Sequence, residues 1–177
     1  HSGQDMVARF RQEAMMAAGL NHPNIVQVYT IGQEDGLHYI AQEFVQGKDL
    51  ATIMKGRGKP DVASALHVMR QVASALKASG HAGIVHRDIK PANILVTAVS
   101  GRYLPKIIDF GVARINPQEH QHHRRLRSAE AAVPETILGT PAYMSPEQTY
   151  MPDHELDARS DVYSLGILLY KMLTETN

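Results

Sequence analysis

The run His86-Arg87-Asp88-Ile89-Lys90-Pro91-Ala92-Asn93 constrains this chain more than any other stretch. It sets an acid, a lysine and an amide in one short polar segment between two apolar runs, Gly83-Ile84-Val85 and Ile94-Leu95-Val96. Those runs are short and β-branched, which predicts strands with the polar residues on the loop between them. A loop held at both ends can gather several functional groups around one small volume. Asp88, Lys90 and Asn93 then offer a proton acceptor, a cation and a metal-ligating oxygen, in the order that phosphoryl transfer needs.

The rest of the composition excludes more than it assigns. The 177 residues suit one domain with a sizeable core. Hydrophobic residues make up 44% and charged residues 20%, ordinary for a globular protein. Lys+Arg and Asp+Glu both number 18, so charge gives no argument for nucleic acid or an anionic membrane. The absence of cysteine excludes disulfides, thiolate metal sites and a cysteine nucleophile. No apolar run reaches the ~18 residues of a membrane span, and the N-terminus has no signal-peptide pattern.

Patterning gives the elements. Asp5 to Ala18 reads as a helix with an apolar stripe of Met6, Phe10, Ala14 and Ala17, ended by Gly19. Val26 to Ile31 and Leu37 to Val45 read as strands joined by a glycine-containing turn. Leu50 to Lys55 predicts a short helix broken at Gly56-Arg57-Gly58-Lys59-Pro60. Asp61 then caps a long helix whose expected buried face is Val62, Ala65, Leu66, Met69, Val72, Ala73 and Leu76. A hairpin is expected around Ser100-Gly101-Arg102, and a loop from Asn116 to Glu135. The last helix, Ala158 to Thr174, is apolar on more than one face and predicts burial on all sides.

Three further motifs follow the first in order: Asp109-Phe110-Gly111, then Gly139-Thr140-Pro141-Ala142-Tyr143-Met144-Ser145-Pro146-Glu147, then Asp161-Val162-Tyr163-Ser164-Leu165-Gly166. Together they resemble the protein kinases, with Ser145 where Ala is usual before Pro-Glu. Phe10-Arg11-Gln12-Glu13-Ala14 and Leu20-Asn21-His22-Pro23-Asn24-Ile25-Val26 resemble the bacterial eukaryotic-like Ser/Thr kinases most closely. The resemblance covers nearly the whole chain.

The resemblance implies an α+β, two-lobed kinase fold truncated at both ends. A partial N-lobe would occupy residues 1–45 and a partial, mainly helical C-lobe residues 46–177. It implies ATP and Mg²⁺ as cofactors and a protein Ser or Thr as substrate. Asp88 would be the catalytic base, Lys90 would face the γ-phosphoryl group, and Thr140 would order that loop. Asn93 and Asp109 would hold Mg²⁺. Gln42, Glu43, Val45 and Leu95 would surround the adenine, with Gln42 a polar gatekeeper. Asp161 would hydrogen-bond the backbone of the catalytic loop, and Glu147 would lack its usual partner arginine. Glu13, an acid on an apolar stripe, would pair with a lysine that contacts the phosphates.

No lysine precedes Lys48 and Gly3 is the sole glycine before Gly19, so neither that lysine nor a glycine-rich phosphate loop is present. The expectation is an internal piece of a kinase domain, inactive alone and prone to associate. Arg87 would meet a phosphate on the long stretch between Asp109 and Glu147, at Thr136 or Ser128. His120, His122, His123, Arg124, Arg125 and Arg127 in that stretch read as a solvated loop sooner than a metal site. Self-association for autophosphorylation is expected; no nucleic acid and no membrane contact are expected from this segment. A cytoplasmic location is expected, any membrane anchor lying outside the segment. The rival reading is a non-catalytic, kinase-like binding or scaffolding module. The intact Asp88, Lys90, Asn93 and Asp109 favour the enzyme.

Overall fold

A computed structural model describes residues 15, 18–35, 37–99, 102–110, 141–150 and 155–174. Most of the helix expected from Asp5 to Ala18, including Glu13, lies outside them, as do Ser128, Thr136 and Thr140. Strands β1 (Val28–Glu34) and β2 (Leu37–Gln42) form an antiparallel pair around the expected turn. The chain then runs through β3 (Lys48–Asp49) into helix α1 (Leu50–Arg57), and through Asp61 into helix α2 (Val62–His81). The expected hairpin is β4 (Ile94–Val99) and β5 (Arg102–Ile107), and β3 adds to its edge in the order β3-β4-β5. Helix α3 (Ala158–Thr174) closes the described chain at its expected bounds. Among the described residues no helix is long and apolar enough to cross a membrane.

Both helix starts have a local cause. The Asp49 carboxylate accepts from the Thr52 N–H at 2.8 Å, and that of Asp61 from the Ser64 N–H at 2.9 Å. Each satisfies an otherwise orphaned donor of a first turn. Helix α1 runs through Gly56 and ends at Gly58, later than expected, because Gly58 takes the positive φ (71°) that a helix exit favours.

The core lies between α2, α3 and β5. Ala65, Val68, Met69, Val72, Ala75 and Leu76 of α2 pack with Leu168 and Met172 of α3 and with Ile94 and Ile107 of the hairpin. Fully burying each large side chain stabilises by ~1.5–3 kcal/mol. The expected face of α2 needs correcting. Val62 and Leu66 are 57% and 51% exposed, and Ala73 is exposed; Val68 and Ala75 are buried instead. At about 100° per residue, the line through Ala65, Val72, Ala75 and Ser79 faces the core and Leu66 and Ala73 rotate off it.

A second correction concerns Gly83-Ile84-Val85, which is not a strand. Gly83 ends α2 at φ 73°, and the Ile84 N–H bonds back to the Ser79 carbonyl at 2.9 Å. The next donors, His86 N–H and Arg87 N–H, go to the Asp161 carboxylate. Donors already engaged by a helix end and a side chain cannot also join a ladder. Ile84 is buried all the same, so its hydrophobicity serves the core.

Candidate active site

The hairpin brings the polar loop and the Asp109 segment together. Ile94 and Ile107 are Cα partners at its open end, so Asn93 just before β4 and Ile108 just after β5 adjoin. The Ile108 N–H donates to the Asn93 carbonyl at 3.0 Å, which sets Asp109 beside the loop. A 3-10 turn, Pro91–Asn93, leads from Lys90 into β4.

Asp88, Lys90 and Asn93 converge as the sequence predicts. Asp88 Oδ2 lies 2.7 Å from Lys90 Nζ and accepts from Asn93 Nδ2 at 2.9 Å. The same Asn93 amide also donates to the Asp88 carbonyl at 2.8 Å. Asn93 is buried, and the bonds commit its nitrogen and orient its amide oxygen. Both side-chain contacts fall on Oδ2, so Oδ1 of Asp88 is open to a further donor among the described residues.

Backbone strain sits at the same place. Arg87 and Asp109 have φ of 68° and 61°, values that non-glycine residues adopt at a cost of about 1–3 kcal/mol. Asp161, 2% exposed on α3, holds the first of these: its Oδ2 accepts from the His86 N–H at 2.8 Å and its Oδ1 from the Arg87 N–H at 2.7 Å. This is the backbone role expected of Asp161. Burial pushes its carboxyl above the ordinary carboxylate value, against His86 and the two N–H donors, which favour the ionised form.

His86 ties the two strained residues together. The Asp88 N–H approaches its Nδ1 at 3.3 Å and its Nε2 lies 2.9 Å from the Ile108 carbonyl, which assigns a neutral His86 the Nε2–H tautomer. Its ring meets that of Phe110 edge to face at 4.7 Å, and both are buried. Burial also pushes Asp109 up; the nearby charges of His86 and Lys90 oppose this, and that of Asp88 adds to it. An acid disfavoured as an anion by burial is one that a cation would satisfy.

The residues expected around the adenine run from β2 into β3. Gln42 ends β2 and is exposed, Glu43 and Val45 are half-buried, and Leu95 pairs across β4 with Lys106. The Glu43 N–H donates to the Gln27 carbonyl at 2.8 Å and the Val45 carbonyl accepts from Gly47 at 2.9 Å. Among the described residues, the Glu43 carbonyl and the Val45 N–H are the backbone groups this pattern leaves unused. A Cβ on Gly47 would come within 2.5 Å of the Val96 carbonyl, so no side chain fits there. Glu43 also pairs with Lys106 at 2.8 Å, a contact sequence reasoning missed; the acid at the end of a strand was its only local sign. Burial works to raise Glu43, but Lys106 and the Gln27 N–H hold its carboxyl below the ordinary value.

Glu147 accepts from Ser160 Oγ at 2.7 Å and feels the charge of Arg159, so it is partnered within the described chain. Ser164 Oγ donates to the Tyr143 carbonyl at 2.7 Å, fastening the 141–150 segment to α3. Sequence reasoning also missed Gln148. Its pattern with Ser145 signals a capping turn, but nothing local signals its bond to Arg87, a residue distant in sequence.

Comparison with known proteins agrees with this geometry. The sequence model of the family described as "Protein kinase domain" matches residues 1–177. The chain is 41% identical over 172 residues to the serine/threonine-protein kinase PknB of Mycobacterium tuberculosis, covering 94% of the chain and 25% of that protein. It is 39% identical over 175 residues to the serine/threonine-protein kinase pkn3 of Myxococcus xanthus, covering 98% and 30%. The chain thus spans about a quarter to a third of these relatives' length. Among solved structures, the kinase domain of Mycobacterium tuberculosis PknI, in a point-mutant form, superposes with a TM-score of 0.70 at 29% identity, covering 97% of the chain and 58% of that one. With the Asp88–Lys90–Asn93 cluster, the Asp109 segment and the Asp161 anchor in place, this chain belongs to the protein kinase family and has part of its fold.

Proposed function

We propose that the protein carrying this chain transfers the γ-phosphoryl group of ATP to protein serine or threonine hydroxyls. The observation that carries the reading is the Asp88 carboxylate, fixed through Oδ2 by Lys90 and Asn93, with Oδ1 open among the described residues. Oδ1 accepts the hydrogen bond of an incoming hydroxyl and takes its proton late in transfer. Lys90 keeps Asp88 oriented and places positive charge where the transferred group gains negative charge. The Glu43 carbonyl and Val45 N–H offer an acceptor and a donor to adenine, beside Gln42 and over Leu95.

The family generally uses Mg²⁺, and the donor set fits it. Among the described residues no trio of His, Cys, Asp or Glu gathers, but this hard cation needs few protein ligands. The Asn93 amide oxygen and the Asp109 carboxylate would hold it. When bound, Mg²⁺ supplies charge that neutralises the phosphates. A phosphate on Thr136 or Ser128 would meet Arg87, and autophosphorylation there would need a second copy of the protein.

The test is phosphorylation of a Ser/Thr peptide by the longest encoded protein that carries these residues, with binding of Mg-ATP measured alongside. Asp88→Asn should cut the rate at least about a hundredfold with binding within about twofold. Asp109→Asn should lose both. Equal loss of nucleotide binding in the two variants would overturn the assignment of roles. An unmodified protein that binds Mg-ATP and transfers nothing would favour the scaffolding reading.

A further inference from the structure

Lys90 and Asn93 hold the Asp88 side chain and carbonyl, and the peptide that joins Asp88 to Arg87 follows a strained residue, Arg87. Asp161 grips the N–H groups before the strained residue, not the peptide after it. The Arg87 carbonyl accepts instead from Gln148 Nε2 at 2.7 Å. Across the same peptide, among the described residues the Asp88 N–H has the longer, 3.3 Å approach to His86. Of the two described bonds to the Arg87–Asp88 peptide, the one from Gln148 is the shorter.

The Gln148 amide is itself fixed at its other end. Its Oε1 accepts from the Ser145 N–H at 2.9 Å and from Ser145 Oγ at 3.1 Å, and Ser145 is fully buried. These donors fix which end of the amide is oxygen, so its nitrogen must face Arg87. Gln148 lies in the 3-10 turn Pro146–Thr149, which Ser160 anchors through Glu147. A single side chain thus couples the turn after Ser145 to the peptide preceding Asp88.

Resting on the kinase reading above, we propose that Gln148 is a positioning residue for phosphoryl transfer. It holds the Arg87–Asp88 peptide so that Asp88 Oδ1 meets the substrate hydroxyl. Its described bonds go to Ser145 and the Arg87 carbonyl, so its loss should slow transfer and leave nucleotide binding in place. Misplacing a catalytic group by about 1 Å costs roughly a hundredfold in rate.

Three variants test this in the longest encoded protein that carries these residues: Gln148→Met, Gln148→Glu and Ser145→Ala. Gln148→Met keeps length and loses these three hydrogen bonds. It should lower kcat at least about tenfold, with the KM for Mg-ATP within about twofold. Ser145→Ala, which loses one of two donors to Oε1 and no bond to Arg87, should fall between. Gln148→Glu opposes its charge to the Arg87 carbonyl when ionised and reproduces the amide's pattern when protonated. Its rate relative to Gln148→Met should therefore rise as pH falls toward the carboxylic-acid range, a response that a merely structural residue would not give.

An active protein whose Gln148→Met and Gln148→Glu variants keep wild-type kcat overturns the inference. So does a kcat loss matched by an equal loss of nucleotide binding and melting temperature in all three variants. An unmodified protein without transfer activity defeats the kinase reading first, and this one with it.

Discussion

Asp109 and Asp161 are both raised by burial, yet removing them should have opposite effects. Asp161 satisfies two backbone donors, so Asp161→Ala strands the His86 and Arg87 N–H groups. At ~1–3 kcal/mol for each unpaired buried donor, the loss should total about 2–6 kcal/mol, and Asp161→Asn should lose less. Urea denaturation measures both; equal stability of Asp161→Ala and wild type would contradict the anchor. Asp109 has no such donors in the hydrogen bonds described. An acid whose folded pKa lies above its ordinary value of 3.8 stabilises below that value, and loses the contribution as pH rises through the raised one. At neutral pH its charge is a cost. Asp109→Asn should therefore raise the melting temperature by a few degrees without nucleotide or metal, while abolishing transfer. A lower melting temperature would show that Asp109 is held by partners after all. Asp88, Lys90 and Asn93 were legible because they share one short loop, where spacing alone forces proximity. Gln148 and Lys106 were not, because their partners come from distant elements and a local pattern holds no record of them.

Periodicity reads an element well where one face alone is buried, and less well where it is apolar all round. Helix α3 formed at its expected bounds, but the expected burial on all sides did not follow. Leu168 and Met172 face α2 with essentially no exposure, whereas Val162, Tyr163 and Tyr170 are 64%, 43% and 65% exposed. Leu168→Ala should therefore cost about 2–5 kcal/mol through a cavity, and Val162→Ala at most about 0.5 kcal/mol. Chemical denaturation of the two variants decides; comparable losses would mean that the outer face of α3 is covered. The start of α1 was not foreseen as capped, since Asp49 sits in a two-residue strand that only tertiary pairing with β4 reveals. Burial works to raise Asp49, but its bonds from Thr52 hold its carboxyl below the ordinary value. That contribution is present above 3.8 and is lost as pH falls through the lowered value. Asp49→Ala should cost about 1 kcal/mol at neutral pH, and the gap from wild type should close in acid. A gap that persists unchanged at low pH would assign the loss to packing.

The whole molecule is joined where three elements meet a single buried amide. Asn24, 5% exposed, donates from Nδ2 to the Pro105 carbonyl of β5 at 2.8 Å and to Gln71 Oε1 of α2 at 3.1 Å. Its carbonyl accepts from the Ile107 N–H at 2.8 Å, and Val26 N–H returns the bond to the Ile107 carbonyl at 2.9 Å. The segment that leads into β1 is thus clipped to β5, the strand that leads to Asp109. Glu43 and Lys106 make a second clip at the same open end of the β1–β2 pair, where β2 ends beside Gln27. No propensity argument foretold this junction, because an asparagine before a strand reads locally as a turn residue. The consequence is mechanical: the two bonds that Asn24 donates help hold the segment entering β1 against β5 and α2. Asn24→Asp sets a carboxylate against the Pro105 carbonyl and Gln71 Oε1, both acceptors, so it should be worse than Asn24→Ala. The alanine variant leaves the Pro105 carbonyl buried without this donor, at ~1–3 kcal/mol. Hydrogen exchange should then quicken in β1 and β2 while the centre of α2, around Val72 and Ala75, keeps its protection. The Asp variant should recover toward the alanine variant as acid protonates its carboxyl and restores one donor. Uniformly faster exchange across β1, β2 and α2 would show that Asn24 supports the core as a whole and does not act as a clip between its parts.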